Sequence, residues 1–193
     1  MNIAEKWNRI YEDAGEKTPT AAAVLLENQH LLPAEGSALD LACGLGGNAL
    51  LLAECGLKTE AWDISETAIS KLQTLAGERN LPVAVKVRDV NSAPPAANSF
   101  DVIVVSHFLE RNLMPILAAA LRRNGLLYYQ TFIREKVNDK GPKNPEYLLA
   151  SNELLGFFSD MEVLVYREEG LVGNTEKGFR NEAMLIARHS VND

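Results

Sequence analysis

The stretch LDLACGLGG at residues 39–47 decides the fold class of this chain. Its first half belongs to an apolar segment, predicted as a strand over residues 38–42, and its second half leads into a helix predicted over residues 48–55. Glycine lets the backbone turn sharply and approach a bound molecule closely. The amides at the start of the helix are free to bind a polar ligand. This order indicates an α/β protein with a ligand at the carboxyl ends of its strands.

Short apolar segments alternate with helix-like patterns on both sides of this turn, which indicates a mostly parallel sheet. Seven strands are predicted, at residues 38–42, 58–62, 83–87, 100–105, 125–131, 161–167 and 182–188. No helical pattern separates the last two, so one antiparallel strand is expected near the C-terminal edge. Helices that cover both faces are predicted at residues 3–13, 19–29, 48–55, 65–80, 115–122 and 152–158.

Length and charge restrict the classes of function. The chain has 193 residues and a formal net charge of −7, which indicates one domain over residues 1–193 and makes nucleic acid and membrane surfaces unexpected partners. Cys43 and Cys55 form no disulfide framework, and no Cys/His cluster has metal-ligand spacing. The first nine residues do not resemble a secretory signal, and no apolar run reaches transmembrane length. A cytoplasmic protein is expected, and its oligomeric state is left open.

Asp40 lies in the strand below the turn and helps to distinguish between ligands. The spacing of Gly44, Gly46 and Ala49 also fits the dinucleotide fingerprint, but the Asp40 carboxylate would repel a pyrophosphate. S-adenosylmethionine has no phosphate and carries an ammonium and a sulfonium, which a carboxylate attracts. One such pair, about 4 Å apart at an effective dielectric constant of about 20, contributes roughly 4 kcal/mol before desolvation.

Two further acids follow the next two strands. Asp63 comes 19 residues after Gly44 and ends the second strand, where a carboxylate can accept both hydroxyls of a ribose. Asp89 follows the third strand and can accept a hydrogen bond from an adenine amino group. Because parallel strands end at one edge of the sheet, these acids are expected to lie along a single ligand track.

With these residues in place, the chain resembles the class I S-adenosylmethionine-dependent methyltransferases. The resemblance rests on Asp40-x-x-x-Gly44-x-Gly46, on Asp63, on Asp89-Val90 and on the strand that begins Phe100-Asp101-Val102-Ile103. It extends from about Trp7 to Arg188 and implies a Rossmann-like sheet. Trp7-Asn8-x-x-Tyr11 and Gly141-Pro142-x-x-Pro145 are similar to segments of small-molecule enzymes of the tellurite-resistance and thiopurine type.

The resemblance also implies roles for individual residues. The positions expected along the cofactor are Asp40 at the ammonium, directly or through water, Ala42, Gly44 and Gly46 at the methionine and ribose, Asp63 at the ribose hydroxyls, Ile64 and Val90 at the adenine ring, Asp89 at its amino group, and Ser106 near the methyl group. His107 would border the methyl group and is the candidate general base, because a histidine can titrate near neutral pH. A role for His107 as an ordinary strand-end hydrogen-bonding residue remains the alternative.

Two segments and two arginines are candidates for substrate contact. Residues 1–30 are interpreted as an N-terminal helical lid with Trp7 and Tyr11 above the cofactor, and residues 132–150 as an active-site loop. Ordinary packing of the N-terminal helix is the alternative for Trp7 and Tyr11. Arg111 and Arg180 could pair with an anionic acceptor, and structural roles are the alternative.

The function predicted from the sequence is methyl transfer by in-line displacement to a small molecule. The acceptor atom is either a soft sulfur, selenium or tellurium nucleophile or an oxygen or nitrogen. One alternative is a nicotinamide-dependent oxidoreductase on the same fold, which Asp40 and the lack of a Tyr-x-x-x-Lys pair disfavour. Another is a nucleoside-binding module without catalysis.

Overall fold

The computed structural model describes residues 2–15 and 18–190. Its strands are β1 (Ser37–Leu41), β2 (Lys58–Asp63), β3 (Val83–Val87), β4 (Phe100–Ser106), β5 (Leu121–Phe132), β6 (Glu162–Glu168) and β7 (Glu182–Arg188). They form a seven-stranded sheet in the order β3-β2-β1-β4-β5-β7-β6. Strands β1 to β5 are parallel, and β7 runs antiparallel to both β5 and β6. The predicted mostly parallel sheet with one reversed strand near its C-terminal edge is confirmed.

Six α-helices accompany the sheet in the described ranges: α1 (Ile3–Asp13), α2 (Ala23–Leu26), α3 (Gly47–Glu54), α4 (Glu66–Glu78), α5 (Met114–Ala120) and α6 (Glu153–Phe157). The Asn2 side chain caps α1 in a reciprocal box with Glu5. Ser65 caps α4 by accepting a hydrogen bond from the Ala68 amide, as the sequence predicted. No helix in the described part of the chain is long and apolar enough to cross a membrane.

Alternate residues of the central strand β4 pack into two separate clusters. Ile103 and Val105 lie in the cluster that includes residues of α5, whereas Val102 and Val104 lie in the cluster that includes residues of α2. A strand buried on both faces reads as a continuous apolar run, which is why β4 could be predicted so directly. The centre of the sheet is thereby covered on both faces, and the carboxyl ends of β1, β2 and β4 remain at one edge.

The second helix is shorter than predicted. In place of a helix over residues 19–29, the structure has only α2 and a 3-10 turn at Gln29–Leu31. The backbone amides of Ala22 and Val24 donate to the side chains of Asn48 (2.8 Å) and Gln130 (2.7 Å). Partners from distant parts of the chain thus bind amides near the start of the segment, and residues 18–22 stay non-helical.

The boundary between α5 and β5 also differs from the prediction. The helix ends at Ala120 instead of residue 122, and β5 begins at Leu121 instead of residue 125. Leu121 pairs with Phe100 and is buried, after which the register between β4 and β5 shifts. Residues 122–124 are exposed at the point where the register shifts. Pairing with β4, which local periodicity does not report, therefore sets where the strand starts.

A groove of about 790 Å³ lies over one face of β2 and β3, and it is lined in part by Lys58, Glu60 and Lys86. Residues 88–99 contain no helix to cover this face. The Arg88 guanidinium instead lies 3.8 Å from the centroid of the Trp62 ring. None of its lining residues is a predicted site residue, so the groove is separate from the candidate site.

Candidate active site

The glycine turn joins β1 to α3 through three residues in the left-handed backbone region. Ala42 has φ 55°, Gly44 φ 53° and Gly46 φ 81°. Gly46 is the N-cap of α3, and a side chain there would overlap Leu72 because a Cβ atom would lie 2.3 Å from its Cδ1. Ala42 adopts a conformation that L-residues rarely occupy, and such strain is concentrated at functional sites.

Asp63 at the end of β2 is bonded directly to the glycine turn. Its Oδ2 accepts a hydrogen bond from the Gly44 amide at 2.8 Å, and its Oδ1 accepts one from the Ser65 amide at 2.8 Å. The residue is 5% exposed, and burial raises the pKa of its carboxyl above the ordinary value. Each oxygen retains a second lone pair, so Asp63 can still accept from a ligand.

Asp40 lies beneath the first turn of α3 and is completely buried. Its oxygens accept hydrogen bonds from Asn48 Nδ2 at 3.3 Å and from the Ala49 amide at 3.0 Å. Burial raises the pKa of Asp40 to about 7, although both hydrogen bonds lower it. The expected position next to the turn is found, but the carboxylate faces the helix and has no exposed surface to offer a ligand.

Asn48 connects the two strand ends on either side of the turn. Its Nδ2 donates to Asp40 and to Ser106 Oγ, the latter at 2.9 Å, and its Oδ1 accepts from the Ala22 amide. Ser106 and Asp40 are therefore linked by hydrogen bonds to the same side-chain amide. Sequence reasoning missed Asn48, since a polar residue in the first turn of a helix is ordinarily taken for a solvated one.

The residues predicted around the adenine lie close to the ends of β2 and β3. The Asp89 side chain accepts from the Asn91 amide at 3.0 Å and is half-buried. Ile64 is also half-buried, whereas Val90 is 6% exposed and packs into the core. Asp89 and Ile64 therefore present surface at this end of the site, while only the backbone of Val90 is suited to contact a ligand.

Helix α1 lies against α4 and covers the glycine turn. Asn8 Oδ1 accepts from Ser65 Oγ at 2.6 Å, and Lys71 Nζ donates to the Tyr11 carbonyl at 2.6 Å. The Tyr11 hydroxyl approaches Gly44 so closely that a Cβ atom there would lie 2.8 Å from it. Burial and the nearby Asp63 carboxylate raise the pKa of Tyr11 well above its usual value. Trp7 stacks on Tyr11 at 5.8 Å between ring centroids.

His107 follows β4 directly and is held on three sides. Its φ is 54°, its backbone amide donates to the Gln130 carbonyl at 2.8 Å, and its ring lies 4.9 Å from the Phe132 ring. Its Nε2 lies 3.1 Å from Glu182 Oε2. Apart from Ala42 and His107, every non-glycine residue with positive φ in the described ranges is asparagine, which tolerates this conformation better.

Glu182 is a buried acid that the sequence did not single out. Its Oε2 accepts from Gln130 Nε2 at 2.5 Å, and its Oε1 accepts from Lys140 Nζ at 3.1 Å. Burial alone would raise its pKa, but the contacts with His107, Gln130 and Lys140 outweigh this and lower it to about 2. Glu182 is thus an anion at neutral pH, 3% exposed and beside the candidate base.

The arginines predicted as substrate contacts bind the protein itself. Arg111 pairs with Glu153 at 2.7 Å and donates to the carbonyls of Glu146 and Leu148. The Arg180 guanidinium donates to the carbonyls of the connection between β6 and β7, namely those of Glu169, Gly170, Asn174 and Lys177. In the structure both arginines stabilise loops, which corresponds to the structural role named as their alternative.

The loop at residues 132–150 is folded against the end of the sheet. Ile133 and Leu149 form a parallel bridge, and the Val137 amide donates to Asn181 Oδ1 at 2.8 Å. Lys140 brings the loop to Glu182. The segment therefore borders His107. It is held by these specific hydrogen bonds, with no α-helix or strand of the sheet at residues 133–150.

Comparison with known proteins agrees with this fold. TehB from Haemophilus influenzae superposes with a TM-score of 0.71 at 24% identity over 94% of this chain and 66% of that one. Coclaurine N-methyltransferase, solved with N-methylheliamine and S-adenosylhomocysteine, gives a TM-score of 0.65 at 17% identity over 97% of this chain and 82% of that one. Further methyltransferases share the fold. Among curated proteins, Hemagglutinin 1 of Eikenella corrodens is 29% identical over 82% of this chain, which spans about half, 54%, of that relative.

The sheet order, the glycine turn and the acid at the end of β2 define the class I S-adenosylmethionine-dependent methyltransferases, as the sequence predicted. Within this class the chain belongs to the family of the tellurite resistance protein TehB, whose family profile matches residues 3–186.

Proposed function

We propose that the protein transfers the methyl group of S-adenosylmethionine to a small-molecule acceptor by in-line displacement. The single observation that carries this proposal is the pairing of the buried Asp63 carboxylate with the Gly44 amide at the end of β2. An acid fixed beside the turn suits ribose hydroxyls and a cationic ligand. It disfavours a diphosphate, which would bring further negative charge against a carboxylate already desolvated.

The residues present fit a cationic nucleoside. Asp63 can accept the ribose hydroxyls with its remaining lone pairs, and Asp89 is available for an adenine amino group with the Val90 amide beside it. Ala42, Gly44 and Gly46 line the backbone track. Among the described residues, no group of three or more His, Cys, Asp or Glu side chains could hold a metal ion, and the proposed chemistry uses none.

Asp40 acts at one remove from the ligand in this proposal. It holds Asn48 and the start of α3, and a positive ligand near the turn would favour its ionised form, lowering a pKa that burial raises to about 7. Its attraction for an ammonium is therefore transmitted through Asn48 or water. The resemblance allowed Asp40 to act on the ammonium directly or through water, and the proposal adopts the indirect form.

The protein contributes position and the exclusion of water. When bound, the cofactor supplies a methyl group activated by its sulfonium. Tyr11 and Trp7 on α1 close the side above the glycine turn, while Ser106 and His107 border the position of the acceptor. The guanidinium groups of Arg111 and Arg180 already bind loop residues, so the role proposed for both arginines is to hold the walls of the pocket.

A small-molecule acceptor is supported by the formal net charge of −7, which does not favour a polyanionic partner, and by the similarity in fold to coclaurine N-methyltransferase. The family name makes tellurite the first soft acceptor to test, together with selenite and simple thiols. An oxygen or nitrogen acceptor is the other chemical class, and it would depend more strongly on a base.

Calorimetry with S-adenosylhomocysteine and with NAD⁺ tests the proposal. The nucleoside is expected to bind and NAD⁺ to give no heat. Asp63→Ala is expected to weaken nucleoside binding by roughly 1–3 kcal/mol, the scale of a charge-assisted hydrogen bond. Asp160→Ala is the matched control, because Asp160 is exposed before β6, at the opposite edge of the sheet.

Unchanged affinity in folded Asp63→Ala, or preferential binding of NAD⁺, would contradict the proposed site. Nucleoside binding without turnover of any acceptor would instead favour a non-catalytic binding module.

A further inference from the structure

The ends of β4, β5 and β7 and the loop at residues 132–150 bring together the side chains of four residues, His107, Gln130, Lys140 and Glu182. Glu182 is at their centre and contacts His107, Gln130 and Lys140. His107 and Glu182 are separated by 75 residues. No local motif announces this cluster, because it arises only from the antiparallel placement of β7 beside β5.

Glu182 differs from an ordinary surface ion-pair partner in its burial and in the number of its contacts. Its side chain is 4% exposed, whereas those of Lys140 and His107 are 65% and 43% exposed. Gln130 Oε1 accepts from the Val24 amide, which leaves Gln130 Nε2 to face Glu182. An anion that is buried and held by a fixed amide cannot easily turn away.

The contact with Glu182 determines which nitrogen of His107 is available. Nε2 faces the carboxylate and so carries a proton, which in the neutral ring leaves Nδ1 as the proton acceptor. The ring is also fixed by Phe132 and by the strained backbone at φ 54°. A surface histidine with no function would not need this conformation.

His107 is also close to the glycine turn. It follows Ser106, whose Oγ accepts from Asn48 Nδ2, and Asn48 contacts Asp40 at the start of α3. The half-exposed ring therefore lies at the same edge of the sheet as the proposed cofactor track. Glu182 lies behind the ring, on the side of β7.

We propose that Glu182 is a positioning residue that holds His107 as the general base for an acceptor whose nucleophile arrives protonated, a hydroxyl or a thiol. The inference rests on the proposed methyl transfer. The Nδ1 lone pair takes the proton, and the freed pair on oxygen or sulfur forms the new bond to the methyl carbon. The pair of the broken carbon–sulfur bond stays on sulfur, and His107 then releases its proton to solvent.

The first test requires no turnover. Two-bond ¹H–¹⁵N correlation spectra of protein labelled in histidine report which ring nitrogen is protonated, and His107→Gln identifies the signal among His30, His107 and His189. At about pH 9, where an ordinary imidazole is neutral, we expect His107 as the Nε2–H tautomer alone. Glu182→Ala should give both tautomers. A His107 ring protonated at Nδ1 in the unmodified protein would overturn the inference.

The second test compares acceptors with and without a proton to lose. With 2-mercaptoethanol and catechol, His107→Gln is expected to lower kcat by about 10²–10⁴-fold, the usual range for a general base. Glu182→Ala is expected to lower kcat by a smaller factor, and Glu182→Gln to recover part of it, because an amide oxygen can still accept the Nε2 proton. With dimethyl selenide, which has no such proton, the loss in each variant should be at least tenfold smaller than with the thiol and the phenol.

Glu162→Gln is the matched control, because Glu162 is exposed on β6 and pairs with Arg188 at the opposite edge of the sheet. Binding of S-adenosylhomocysteine by calorimetry should stay within twofold in all variants. Equal losses with all acceptors, or no loss with the thiol and the phenol, would overturn the role of Glu182. If no acceptor turns over although the nucleoside binds, both the inference and catalysis fail. Failure of nucleoside binding contradicts the cofactor site alone, since the tautomer spectra still report on Glu182.

Discussion

At the scale of single residues, Asn48 has more influence than its place in the sequence suggests. It satisfies the buried Asp40 carboxylate, the Ser106 hydroxyl and the Ala22 amide at once. Each partner belongs to a different segment, so one side chain fixes β1, the end of β4 and the approach to α2. Buried polar groups that lose such partners are costly.

Asn48→Ala is therefore expected to lower the free energy of unfolding by about 2–4 kcal/mol, since it removes three hydrogen bonds at about 1 kcal/mol each and leaves a buried amide without a partner. Ser106→Ala, which removes one of the three, should lower it by about 1 kcal/mol. Urea denaturation of both variants measures the difference. Equal effects of the two substitutions would show that Asn48 is not the connecting residue.

At the scale of elements, the two ends of α3 both use glycine with positive φ, but in different surroundings. Gly46 has φ 81° and a Cβ there would overlap the buried Leu72, whereas Gly56 has φ 89° and nothing within 4 Å of a Cβ. Only Gly46 is required by packing as well as by backbone conformation. Comparing substitutions at Gly46 and Gly56 therefore distinguishes the cost of steric overlap from the cost of backbone strain.

Gly56→Ala is expected to destabilise the protein by about 1–2 kcal/mol, the strain of the left-handed conformation. Gly46→Ala should add about 1–3 kcal/mol, because α4 must shift to accommodate the new methyl group. Thermal unfolding of both variants, with circular dichroism to verify folding, tests this. Indistinguishable melting temperatures would contradict the close packing of α3 on α4.

At the scale of the whole molecule, folding places two kinds of buried acid in opposite environments. Burial raises the pKa of Asp40 to about 7, and it also raises that of Asp63. The pKa of Glu182 is lowered to about 2 despite its burial, because cationic and amide groups surround its carboxylate. Of these three acids, Asp40 and Asp63 therefore favour folding at low pH, and Glu182 favours it at higher pH.

For Asp40 the folded state prefers the protonated form. Its stabilising contribution is complete below about pH 4 and is lost as the pH rises to about 7, by up to about 4 kcal/mol at about 1.4 kcal/mol per pH unit. Asp40→Asn should remove this part of the pH dependence, and Asp63 retains a smaller one of the same sign. Urea titrations at several pH values between 4 and 8 compare the slopes. Parallel curves for the two proteins would refute the raised pKa.

Contacts between distant segments explain which parts of the fold the sequence did not predict. The run of apolar residues in β4 and the glycines after β1 were sufficient to predict the sheet and the turn at its carboxyl edge. The helix expected over residues 19–29 was largely wrong, because Asn48 and Gln130 bind amides near its start. Periodicity reports which face of a segment is apolar, and it contains no information about partners from other segments.

The sequence by itself determined the class of fold, the glycine turn and the acids at the strand ends, because strand and helix periods and the need for glycine at positive φ are local properties of the chain. Only the tertiary structure decided that Asp40 faces α3, that Tyr11 covers Gly44, and that Glu182 meets His107. These contacts depend on strand order and side-chain direction, and both are set by the packing of the whole sheet.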